Sequence, residues 1–135
     1  MSILVKEIAI PANTAQASKQ RTTLKLHTGI IHRLLIDIPP GPISLIGIQI
    51  FKGGIQLYPS EYGTYFTGDG IVIDFNEWNE VSRGNNMLII YTWNTDTQYD
   101  HTVRVIVGVL KEEHLSVGSI LAKIIAAPAT EAKQD

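Results

Sequence analysis

"DHTVRVIVGVL", residues 100–110, decides the fold class. Val103, Val105, Val107 and Val109 share one parity, while Thr102, Arg104, Ile106 and Gly108 share the other. Only an extended chain keeps alternate residues on one face, so this segment is a strand. "MLIIYTW", residues 87–93, reads the same way: Met87, Ile89, Tyr91 and Trp93 oppose Leu88, Ile90 and Thr92. Its aromatic and β-branched residues suit a pleated, half-buried surface. Working outward, "LVKEIAI", "TTLKLHT", "IIHRLLIDI", "ISLIGIQIF", "GIQLYP" and "GIVIDF" are further strands, bounded by Gly, Pro, Asn or Asp.

The breaks carry information of their own. "PPGP" at Pro39–Pro42 lacks the N–H donors a ladder needs and must be a corner between strands. "KGG" at Lys52–Gly54 tolerates positive φ and joins its flanking strands as a tight hairpin. About eight short strands with almost no helical pattern between them predict an all-β, antiparallel two-sheet β-sandwich, jelly-roll-like. Periodicity does not encode topology, so an immunoglobulin-like order or a closed barrel stays open.

One segment departs from period two. In "LSVGSILAKIIAAP", Val117, Ile120, Leu121, Ile124 and Ile125 follow helical spacing, with Ser116 as N-cap and Pro128 as stop. A short C-terminal amphipathic helix is predicted over 116–127, its stripe docking on its own sheet or on a neighbouring subunit. The chain then divides into an N-terminal strand and polar arm (1–20), a sandwich core (21–110) and a C-terminal helix and tail (111–135).

The chain has 135 residues, 44% of them hydrophobic and 18% charged, which suits a single globular domain with a real core. Eleven basic and 13 acidic residues leave a net charge of −2, without the basic footprint that nucleic acid or an anionic membrane requires. No cysteine is present, which removes disulfides and thiolate chemistry. The N-terminal apolar run carries Glu7 and Pro11, unlike a secretory signal, and no stretch is long and apolar enough to span a bilayer.

The densest polar group is "WNTDTQYDH", residues 93–101, with Asn94, Asp96, Asp100 and His101. It lacks the glycine and closing glutamate of a calcium loop, and between two strands its Asn and Asp side chains are read as Asx-turn caps. His101 then begins the following strand, its ring at the sandwich edge. His27, His32, His101 and His114 show no zinc-ligand spacing, and no G-x-S-x-G elbow or phosphate loop occurs. Glu112 with Glu113, and Glu77 with Glu80, read as solvated loop or helix-entry charges. Asp74 with Glu77 is the pair that a glycosidase would need. No catalytic residue, cofactor or metal is assigned.

Tyr58, Tyr62, Tyr65, Phe66 and Trp78 fall in or beside "YPSEYGTYFTGDG" and "NEWNEVSRGNN". They form either an interface platform at one end of the sandwich or the cover of their own core. With Val117, Ile120, Leu121, Ile124 and Ile125 they are the candidate interface residues.

"IPPGPISLIGIQIFKGGIQLYPS", "GDGIVIDFNEW" and "YTWNTDTQYDHTVRVIVGVL" resemble small single-domain virion proteins of tailed phages, over residues 22–110. That resemblance implies a β-sandwich that decorates or cements a capsid, or serves as a minor head or tail component, as a symmetric oligomer. It carries over no functional residue. The expected function is therefore a non-enzymatic virion structural protein in the virion, partnered by itself, with a trimer as first guess, and by other capsid proteins. The alternative is a carbohydrate-binding module for surface glycans, with Tyr62, Tyr65 and Trp78 as its stacking platform.

Overall fold

The structure, a computed structural model, describes residues 2–111. The helix expected over 116–127, with Val117, Ile120, Leu121, Ile124 and Ile125, lies outside the described residues, as do Glu112 and Glu113. The described residues form eight strands: β1 (Ser2–Ile10), β2 (Gln20–Lys25), β3 (Gly29–Ile38), β4 (Ile46–Lys52), β5 (Ile55–Tyr58), β6 (Ile71–Val81), β7 (Met87–Asn94) and β8 (His101–Lys111). They form two four-stranded antiparallel sheets, ordered β1-β8-β3-β6 and β2-β7-β4-β5.

Only β4 and β5 are consecutive and paired, through the hairpin at Gly53 and Gly54, whose φ values of 62° and 80° suit glycine. Every other connection carries the chain to the opposite sheet. The Pro39–Pro42 corner is one of these, and so is the segment after Trp93. That segment is a crossing between sheets, not a hairpin tip.

Parity fills the core. Val103, Val105, Val107 and Val109 of β8 are buried together with Leu34, Ile36 and Ile38 of β3. Ile46, Ile48 and Ile50 of β4, with Leu88 and Ile90 of β7, meet them from the other sheet. Each such side chain stabilises the fold by about 1.5–3 kcal/mol. Lys52 ends the inward row of β4; its buried ammonium donates to the Glu80 carbonyl of β6 and so bridges the sheets. Burial lowers its pKa, partly offset by the Glu80 charge.

Residues 2–10, which include the "LVKEIAI" strand, pair with β8 from Ser2↔Val109 to Ile10↔His101 and send Ile8 and Ile10 into the core. Two elements differ from the sequence reading. "IIHRLLIDI" is not a regular strand: the register shifts between Ile31 and Arg33, so that Ile31 and Leu34 both point inward. The extra residue beside β8 is His32, a β-bulge that corrects a parity the sequence breaks. Finally, "NEWNEV" is not a connection. It extends β6 to Val81, held by backbone pairing to β3 although its side chains are mostly polar.

Candidate functional site

The polar end of the sandwich is built by Asn94, Asp96, Asp100 and His101. Asn94 closes β7, fully buried; its amide donates to the Ile10 and Tyr99 carbonyls at 3.1 and 2.9 Å, and its Oδ1 accepts from the Asp96 N–H at 3.0 Å. Asp96 Oδ1 accepts from the N–H groups of Gln98 and Tyr99. Its Oδ2 meets His101 Nε2 at 2.8 Å. Asp100 accepts from the Ala12 N–H at 2.9 Å, tying the β1–β2 connection to this loop. These are the Asx bonds the sequence predicts, closed by a pair between buried His101 and half-buried Asp96 at the start of β8. Among the described residues no hydroxyl hydrogen-bonds His101, and no group of three or more His, Asp or Glu is placed to hold a metal.

A second carboxylate organises the neighbouring corner. Asp69 Oδ1 accepts from the N–H groups of Gly41 and Ile43, at 2.7 and 3.1 Å. Ile43 and Ser44 there adopt φ values of 43° and 60°, a costly conformation for a β-branched residue. The backbone donors, with a smaller contribution from His101, hold the Asp69 carboxyl below the usual range. The Gln98 N–H, His101 and the Tyr99 N–H do the same for Asp96.

The two outer sheet faces differ in character. On the β1-β8-β3-β6 sheet the register places Val5, Ile106 and Leu35 side by side, with Ile3 beside Gly108 one pair further on. Ile3 and Val5 are 62% and 54% exposed. A cavity of about 200 Å3 lies among Ile3, His32, Leu35 and Ile106. Ion pairs Arg104–Glu7 (3.0 Å) and Arg33–Asp74 (2.7 Å) flank the apolar stripe. Asp74 is thus held by Arg33, while Glu77, three residues on, has the opposite parity and lies beside Tyr58. The two acids of a glycosidase do not converge. Glu77 and Glu80, expected as loop or helix-entry charges, likewise sit on opposite faces of β6.

The outer face of the β2-β7-β4-β5 sheet is aromatic and basic. Phe51 and Tyr91 meet edge to face at 5.2 Å, and Tyr65 and Trp93 at 4.9 Å. The Lys19 ammonium lies 4.9 Å from the Tyr91 ring centre and 5.9 Å from that of Trp93, and donates to Gln49 at 3.0 Å. Gln49 and Gln56 each donate to the Thr64 carbonyl, and Gln56 accepts from the Gly63 N–H, which pins residues 59–67 against this face.

The five aromatic candidates therefore separate. Tyr58 and Phe66 pack on Phe75, where they close the core between β5 and β6. Tyr62 and Tyr65 lie on the basic sheet face. Trp78, 66% exposed, points outward from β6 on the other sheet. Reasoning from sequence missed Arg21, Phe51 and Tyr91 as neighbours, because their registers Arg21↔Tyr91 and Phe51↔Ile89 join segments far apart in the chain.

No family model and no curated protein matches this chain. Among solved structures, a chain described as "Cyanophage Pam1 capsid asymmetric unit" is similar, with a TM-score of 0.53 and 18% identity, over 78% of this chain and 81% of that one. At that identity the likeness is one of fold.

Proposed function

We propose that this chain is a non-enzymatic virion structural protein, a jelly-roll capsid decoration or minor capsid component that acts through contact surfaces. The strand order supports the jelly-roll reading: all connections but one cross between the two sheets, as in paired Greek keys. The fold likeness to a cyanophage capsid chain supports the setting.

The observation that carries the reading is the stripe of Ile3, Val5, Ile106 and Leu35. The core of the sandwich is filled from the inward faces, so these outward side chains have no part in it. The exposed Ile3 and Val5, continued by the half-buried Ile106 and Leu35, form an apolar patch on one face, and such a patch marks a contact surface. Arg104 and Arg33, which flank the stripe, are each paired with a carboxylate of the same face, Glu7 and Asp74. Such an apolar stripe suits another copy of the same chain, and a closed cyclic oligomer, a trimer first, is the form it takes before meeting other capsid proteins.

Sedimentation of the full-length chain tests this. The wild type is expected to run as one oligomer and the double variant Val5→Glu, Ile106→Glu as a monomer with unchanged far-UV circular dichroism. A monomeric wild type at tens of micromolar, or an oligomer indifferent to both charges, rules out this surface as the contact.

A further inference from the structure

Two cavities open on the outer face of the β2-β7-β4-β5 sheet, of about 450 and 210 Å3, and Phe51 lines both. The larger is of the size that holds a small ligand. Each contains one cation, Arg21 in the larger and Lys19 in the smaller, and neither is lined by Asp or Glu. Arg21 is exposed and makes no ion pair among the described residues, in contrast to Arg33 and Arg104 on the other sheet. The remaining walls mix apolar surface with amides: Ile89 and Asn85 in the larger cavity, Gln49 and the 85%-exposed Tyr62 in the smaller.

We propose that this face binds an acidic oligosaccharide, with two sugar units seated on either side of Phe51 and their carboxylates met by Arg21 and Lys19. The chemistry selects that class. Sugar rings present C–H faces that pack on aromatic side chains and hydroxyls that suit the exposed Asn85 amide. An unpaired guanidinium adds a site for a carboxylate, which a neutral sugar would leave empty. A nucleic acid fits less well: it carries a charge on every residue and gains affinity from many phosphate contacts, whereas each of these cavities is lined by a single cation, on a chain of net charge −2. The site is independent of the apolar stripe on the opposite sheet, so binding here does not require the shell role.

Calorimetric titration of the full-length protein tests the proposal, with oligogalacturonate, oligomannuronate and sialyllactose as acidic probes, maltopentaose as the neutral one and oligothymidylate as the nucleic acid. At least one acidic probe is expected to bind, to weaken with added salt, and to lose roughly ten-fold in affinity in Arg21→Gln, whose side chain is exposed and whose thermal midpoint should be unchanged. Phe51→Leu, which keeps the site apolar but removes the ring, should weaken binding as well. Failure of all three acidic probes, equal binding of maltopentaose, tighter binding of oligothymidylate, or indifference to both substitutions would overturn it.

Discussion

Gly47 sits beneath the indole of Trp93 so closely that a Cβ built on it would lie 2.1 Å from the ring. The ring can lie flat on the sheet, under Tyr65, only because that side chain is missing. Gly47→Ala must therefore tilt the indole or shift the strand, at an expected cost of about 1–3 kcal/mol. In a Trp78→Phe background, Trp93 fluorescence should shift to the red as the ring becomes wetter. The carboxylates of the polar end make a pH prediction. Asp96 and Asp69 are held below the ordinary range by backbone N–H donors. Between those lowered values and the unfolded value of about 3.9 the unfolded chain binds more protons than the folded one. Their contribution is complete above that window and is lost as pH falls through it. Urea unfolding across an acid series should show a shallower pH slope in Asp96→Asn and Asp69→Asn than in wild type; equal slopes would mean these groups do not govern acid stability.

At the scale of the element, β6 shows how position can outweigh composition. Its sequence, "IVIDFNEWNEV", begins with good strand formers and ends in residues poor in apolar character, yet pairing to β3 carries it to Val81. Side-chain value along it is correspondingly uneven. Phe75 touches both Tyr58 and Phe66, with ring centres 5.2 and 6.3 Å away, and closes the sandwich along the β5 and β6 edges. Phe75→Ala should cost about 3 kcal/mol. Trp78, three positions away on the outward face, should cost within about 0.5 kcal/mol when cut to alanine. Chemical denaturation of the two variants separates them. Both residues are aromatic and both lie near polar neighbours, so the sequence ranks them alike; only the face they occupy tells them apart.

For the molecule as a whole, the pairing of β1 with β8 brings Ser2 beside Val109 and fastens the first described strand to the last. β1 supplies Ile8 and Ile10 to the core and covers the outer edge of β8 from His101 to Val109. A chain lacking residues 2–10 would bare that edge and those cavities together. It is expected to lose cooperative thermal unfolding and amide dispersion in its NMR spectrum, whereas removal of a dispensable arm would preserve both.

The residue pattern by itself determined that the chain forms strands, where eight of them lie, which side chains of β8 share a face, and that Asn94 and Asp96 cap a turn. These are local matters, set by a two-residue period and by short-range hydrogen bonds. Which strand lies beside which was decided only by the tertiary structure, as were the bulge at His32, the polar half of β6 and the meeting of Arg21, Phe51, Tyr91 and Lys19 on one face. Alternation assigns a side chain to a face but not to its neighbours on that face, because those come from strands distant in the chain, and their choice depends on how both inward rows fill one common core.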